Sequence, residues 1–401
     1  MLVQNLNKLF YMSHSPFDSF WMAGYECSDQ LNCFGERADL LMTSGHLHLM
    51  DEDYMHLSQF KIKTVREGIR WNIVEKQPYN YNWSTVIFMF EKAKLHNIQQ
   101  IWDICHFGYP DDLTPLHPMF SRRFAAVCRA FVLLYKKYFP NNTLIVTPIN
   151  EVSFISWLGG DVKGTSPYCN GQGWDVKYSL MRAYIEGVAA MKEIDPLIKI
   201  MTTEPLVNIV APVGASPEEA AAAETHNEAQ FQAMDILCGK ICPELGGSPE
   251  YLDYMGFNYY FNNQWTVDKH IFMGWKERKA EQGWKSLASL LEDGFKRYGC
   301  PLVISETSHC GIDRPQWISY IGEECSNALQ KSIPLLGVCL YPIIDRTDWD
   351  HPESWHHSGL WDAEVINGAP PKRILYQPYA NALLKAQQQV GVHIRSEAFA
   401  M

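Results

Sequence analysis

Two periods of apolar residues take turns along this chain. Short, nearly continuous apolar runs end in a polar residue, and between them lie longer stretches whose apolar residues recur every three to four positions. The runs predict strands over residues 20–26, 63–71, 98–106, 144–151, 198–204, 252–260, 301–306 and 335–344. Unbroken apolar character marks strands covered on both faces, as in a parallel sheet. The longer stretches predict helices. Over 120–138, Phe120, Phe124, Val127, Phe131, Leu134 and Tyr138 fall on one stripe. Over 176–194 the stripe is Leu180, Tyr184, Val188 and Met191, stopped by Asp195-Pro196. Ser84 is read as the N-cap of a helix carrying Ile87, Phe90 and Leu95. The alanine- and glutamate-rich segment 217–228 reads as a loop leading into a helix.

Eight strand–helix units is the count that closes a parallel barrel, so the expected fold is α/β, a (β/α)8 TIM barrel forming one catalytic domain over 1–401. A doubly wound open sheet is the rival, but no glycine-rich phosphate loop follows the first strand. A bare barrel needs only about 250 residues. The remainder is assigned to extended loops over the C-terminal mouth, above all 159–173 and 261–283.

Chemistry enters at the strand ends. Strand after strand closes on a reactive side chain: Glu26, Arg66, His106, Asn150 with Glu151, Glu204, Tyr260 and Glu306. One glutamate after a strand is commonly a helix N-terminal carboxylate, favoured there by the dipole. Several polar ends converging on one mouth are instead the habit of a barrel active site. Two carboxylates facing each other are what acetal hydrolysis needs, one to protonate the leaving oxygen and one to meet the oxocarbenium carbon. On this reading Glu151 is the acid/base and Glu306 the nucleophile. Arg66 and Tyr260 keep Glu306 ionised, and Asn150 holds a sugar hydroxyl. If configuration is retained, the two carboxyls lie about 5–5.5 Å apart.

Composition narrows the partners. A net charge of −11 without a basic cluster argues against nucleic acid and anionic membrane. No run is long and apolar enough to span a bilayer. The N-terminus lacks a basic start followed by an apolar core, and the eleven cysteines keep no fixed spacing. Together these predict reduced thiols in the cytoplasm. Cys238 with Cys242, and His46-Leu47-His48 in a loop before a helix over 51–60, have metal-like spacings but lack further ligands. No metal or cofactor is therefore expected, and the expected partner is a carbohydrate substrate. Trp157, Trp174, Trp349, Trp355 and Trp361 fall in mouth loops or beside motifs, where indole faces can stack on sugar rings. His351, His356 and His357 read as loop residues near the site.

The motifs resemble those of retaining β-glycosidases of family 1, in the clan of barrel glycosidases with catalytic glutamates on strands four and seven. TPINE resembles the acid/base motif T-x-N-E-P, with Val152 in place of the proline, and VISET resembles the nucleophile motif I/V-T-E-N-G. REGIRW, HFGYP and GFNYY resemble the family's segments on strands two, three and six, and DRTDW the one after strand eight. The resemblance implies that Glu151 and Glu306 are catalytic, with Arg66 and Tyr260 beside the nucleophile. It implies sugar contacts by His106, Asn258, Asp348 and Trp349. Tyr341 stands where the family has a tryptophan, and Glu26 or Gln30 substitutes for its early glutamine. The phosphate-binding cluster of 6-phospho-glycosidases is absent. The implied activity is that of an exo-β-glycosidase. The alternatives are a barrel that binds carbohydrate without turnover, and a transglycosylase using the same two glutamates.

Overall fold

The computed structural model describes residues 15–276 and 282–398. Its centre is a set of parallel strands: β1 (Trp21–Gly24), β2 (Thr64–Gly68), β3 (Gln99–Cys105), β4 (Ile145–Ile149), β5, β6 (Met255–Asn258), β7 (Leu302–Thr307) and β8 (Leu335–Leu340). β5 comes in two short pieces, Lys199–Ile200 paired with β4 and Glu204–Pro205 paired with β6. Its centre, Met201-Thr202-Thr203, bonds both neighbours: Met201 N–H to Val146 at 2.9 Å and Thr202 N–H to Tyr254 at 3.0 Å. β1 pairs β8, so the sheet closes into the expected TIM barrel.

Two packed layers follow from the strand pattern. Inside the barrel, Met22, Ile101, Ile145, Met201, Val303, Leu336 and Cys339 form their own cluster. Outside it, Trp102, Ile104, Val146, Phe257 and Ile304 pack against the surrounding helices. The alternation along β3 (Ile101 inward, Trp102 outward) is the pleat of a strand with both faces covered.

Several local expectations are corrected. Helix Phe120–Tyr138 has the expected bounds, but helix Ser84–His96 buries Val86, Met89, Phe90 and Ala93, leaving Leu95 exposed. Ser84 is its first helical residue, and the cap position falls to Trp83, with Asn82 Oδ1 accepting the Ser84 N–H at 3.1 Å. Segment 217–228 is helical throughout (Pro217–Ala229), because Ser216 and Glu219 close a reciprocal capping box. His46 and His48 lie inside helix His46–Leu57, not in a loop. Loop 261–283 contains a strand, Gln264–Thr266, paired with Asn208–Val210, and its residues 277–281 lie outside those described. Trp361 stands in a hairpin with Lys372–Leu375 and packs on His56 and Phe60, away from the mouth.

Candidate active site

β4 ends in a backbone that most residues avoid. Glu151 adopts φ 44°, ψ 58°, the left-handed region, at the junction with helix Val152–Gly160. The turn swings its carboxyl over the barrel mouth, where Asn258 Nδ2 donates to Oε1 at 2.9 Å. Asn258 is fixed in turn by Ser305 Oγ, which donates to its Oδ1 at 2.6 Å. Across the mouth, β7 loses regular register beyond Ile304, and Glu306 falls beside Asn258. Irregular pairing of this kind re-aims side chains near active sites.

The two glutamates have opposite environments. Glu306 accepts from Arg66 Nη1 at 2.8 Å and from the Tyr260 hydroxyl at 2.7 Å. Arg66 is almost fully buried, and its remaining donors go to Asp103 (3.2 and 2.6 Å), Asn150 Oδ1 (3.0 Å) and Ser305 O (3.0 Å). Among the described residues, no cation is bonded to Glu151. Burial first, and the Glu306 charge second, push its carboxyl well above the ordinary range, with the Asn258 bond and Arg66 opposing. Burial and then the Glu306 charge likewise push the Tyr260 phenol well up, so it remains a donor.

A polar floor lies beside the pair. Because Arg66 occupies Asn150 Oδ1, the Asn150 amide turns its Nδ2 toward His106 Nε2, 3.1 Å away. His106 Nδ1 lies 2.8 Å from Asp103 Oδ2. Tyr341 lies parallel to the His106 ring (5.7 Å, 4°) under the Arg66 guanidinium. It closes the floor, against Gly24, where any Cβ would strike the Tyr341 ring. Glu26 takes the Ser28 N–H at 3.1 Å and faces His106 Nε2 and Arg346 Nε, each at 3.5 Å. Burial works to raise the Glu26 pKa, but His106 and Arg346 prevail and hold it low.

The loop after β8 divides. Trp349 packs on Phe107 (5.6 Å) and Phe154 (6.2 Å) under Arg346, with a buried indole N–H that meets no acceptor among the described residues. Asp348 is bound into its own loop: the N–H groups of Asp350 and His351 donate to Oδ1, and Oδ2 meets His356 Nε2 at 2.8 Å. Trp157 and Trp174 are half exposed, His351 is exposed, and His357 leans toward Asp345 and Asp362. Gln30 is buried, and its Oε1 has no partner among the described residues.

Among the described residues, two triads bring possible metal ligands within 4.8 Å of one another. In Cys27–Asp103–His106 the Asp103 carboxylate is bonded by Arg66, and in Asp345–His357–Asp362 the Asp362 carboxylate accepts twice from Arg314. Two participants went unassigned in the sequence, Asp103 and Ser305, and Arg346 was weighed there only as a residue that could admit a phosphorylated sugar. The available signal for Asp103 was an acid in the middle of the apolar run of β3, on the inward phase set by Ile101.

No family model and no curated protein sequence matches the chain. Solved structures do. A family 1 β-glucosidase from Thermotoga maritima superposes with a TM-score of 0.69 at 15% identity, covering 94% of this chain and 98% of its own. The same organism's β-glucosidase in complex with deoxynojirimycin gives 0.70 at 15%, with the same coverage of both chains. The β-glycosidase from Thermosphaera aggregans gives 0.69 at 14%, over 88% of each chain. At this distance the likeness concerns architecture, and the conclusion is that this chain has the fold of the family 1 β-glucosidases, with two differently placed glutamates at its barrel mouth.

Proposed function

We propose that the protein is a retaining exo-β-glycosidase, a single-barrel hydrolase acting on a small β-linked glycoside or oligosaccharide. In the first step a Glu306 oxygen bonds to the anomeric carbon while Glu151 gives its proton to the departing oxygen. In the second, Glu151 takes a proton from water, whose oxygen replaces Glu306 on the same carbon. The carrying observation is the division of charge. Arg66 and Tyr260 both donate to Glu306, which suits a nucleophile, while burial and the Glu306 charge favour a proton on Glu151, which suits an acid. Asn150, His106, Glu26 and Asn258 are proposed to hold sugar hydroxyls over the floor formed by Tyr341, with Trp349 offering its indole N–H. Asp348 is proposed to act after exchanging a loop hydrogen bond for one to the sugar. The chemistry asks for no cofactor. Eleven free cysteines favour a reducing, cytoplasmic setting, and no described helix is long and apolar enough to cross a membrane.

The test is Glu306→Gly assayed on aryl β-glycosides with azide. Turnover should vanish in the variant and return in part with azide, giving a glycosyl azide of opposite anomeric configuration. Full activity in the variant without azide would refute the assignment.

A further inference from the structure

Glu204 is a third carboxylate beside the pair, and both its oxygens are occupied by backbone. Oε1 accepts the Val152 N–H at 2.7 Å and Oε2 the Ser153 N–H at 3.1 Å. Those are the first two N–H groups of helix Val152–Gly160, donors that a helix cannot satisfy internally. Glu151, at the cap position, gives them no side-chain bond. The cap is therefore supplied from another strand.

The placement matters because of what lies between. Glu151 holds a left-handed backbone, and such a conformation in a non-glycine residue persists only where its surroundings over-determine it. Here they do: Asn150 N–H reaches Cys105 O at 2.9 Å, Glu151 N–H reaches Thr203 O at 3.0 Å, and Glu204 holds the next two amides. The same short piece of β5 also pairs with β6, Glu204 opposite Phe257 and Pro205 opposite Asn258. Asn258 is the residue bonded to the Glu151 carboxyl. One stretch of chain thus governs both the backbone of Glu151 and the amide that aims its carboxyl.

Resting on the glycosidase reading, we propose that Glu204 is the positioning residue for the acid/base: it clamps the strained turn that presents Glu151 and does not touch the substrate. Its charge acts in the same direction. Glu151 faces Glu306, Arg66, Tyr260 and Glu204, and the negative charge on Glu204 is among the causes that keep the Glu151 proton in place. Burial raises the Glu204 pKa above the ordinary value, opposed by the Ser153 and Val152 amides and by Lys177, and the Tyr184 phenol also faces it. Removing its charge therefore moves the Glu151 titration down, and the alkaline limb of the rate profile moves to lower pH with it.

Two variants separate geometry from charge. Glu204→Gln keeps the size and loses the charge; Glu204→Asp keeps the charge and falls one methylene short of the amides. For Glu204→Gln, kcat/KM on an alkyl glycoside should fall about tenfold to a hundredfold, the scale of a misplaced catalytic group. The fall should be much smaller on a dinitrophenyl glycoside, whose leaving group needs no proton. Glu204→Asp should lose rate without moving the alkaline limb. Two readouts do not depend on turnover. The 13C NMR titration of the Glu151 carboxyl, identified by its absence in Glu151→Gln, should have a lower midpoint in Glu204→Gln. Amide exchange at Val152 and Ser153 should be faster in both variants. Equal losses on both leaving groups with an unmoved alkaline limb would reduce Glu204 to scaffolding and overturn the proposal. If the wild type cleaves no glycoside, the glycosidase reading falls alone, and unchanged titration and exchange would then overturn the positioning role separately. Should Glu204→Gln fail to fold, unchanged exchange in Glu204→Asp decides against it.

Discussion

In the proposed mechanism Tyr260 separates the roles of the two glutamates through one bond. Its hydroxyl donates to Glu306 Oε2 at 2.7 Å, while Arg66 holds the other oxygen. A hydrogen bond to an ionised group contributes about 1.5–3 kcal/mol, so Tyr260→Phe should lower kcat/KM by roughly tenfold to a hundredfold. The guanidinium still holds Oε1, so the variant should keep its fold and a residual rate. An unchanged kcat/KM would make the phenol a bystander. Residues of this kind were legible in the sequence because each ends an apolar run. Asp103 was not, since the strand pattern gives an inward acid no partner until Arg66 is brought across from the neighbouring strand. Glu204 was visible but open in meaning. Only the fold carries β5 alongside the start of a helix that begins fifty residues earlier in the chain.

Elements with one polar and one apolar face were read well, and elements without that contrast were not. Helix Phe120–Tyr138 interleaves Arg122, Arg129, Lys136 and Lys137 with its aromatic stripe, so its buried face follows directly. Helix Ser84–His96 opens with a nearly continuous apolar run, Val86 to Phe90, and that run fits several stripes. Packing then chooses Val86 and Met89 over Ile87. β5 splits at its centre, where Met201 bonds β4 and Thr202 bonds Tyr254, and no periodicity reveals that division. Helix Pro217–Ala229 buries little beyond Ala223, so its stability must come from its ends. Ser216 Oγ accepts the Glu219 N–H at 3.2 Å, and Ser216 N–H donates to Glu219 Oε2 at 2.8 Å. Ser216→Ala should destabilise this helix by about 0.5–2 kcal/mol. Amide exchange across 217–229 would register that as fraying from the N-terminal end, and exchange identical to wild type would deny the box its role.

For the whole molecule, the eight-unit count was legible because parallel strands covered on both faces leave long apolar runs. The tie between the two ends of the chain was not. His46 is buried in the first helical layer, with Nδ1 at 2.8 Å from Asp53 and Nε2 at 3.1 Å from Glu67 on β2. Arg373, from the hairpin after β8, donates twice to Asp53 at 2.7 and 2.8 Å, and the Tyr54 hydroxyl donates to Glu67 at 2.7 Å. Sequence spacing offered His46 as half of a metal pair; in the fold it is a charged link between β2, a helix and the C-terminal hairpin. Burial disfavours its charge, but Glu67 and Asp53 prevail and raise its pKa above the usual 6.5. Between 6.5 and that higher folded value the native state holds a proton that the unfolded chain has released. The stabilisation is therefore full below the unfolded pKa and is lost as pH rises through the folded one. His46→Gln, which breaks a buried ionic network, should cost about 3–5 kcal/mol at mildly acidic pH. Chemical denaturation at mildly acidic and at alkaline pH should show the gap between wild type and variant narrowing as pH rises. A gap that widens would mean that His46 is held neutral between its two acids, and that the ionic tie from this helix to the hairpin rests on Arg373 and Asp53.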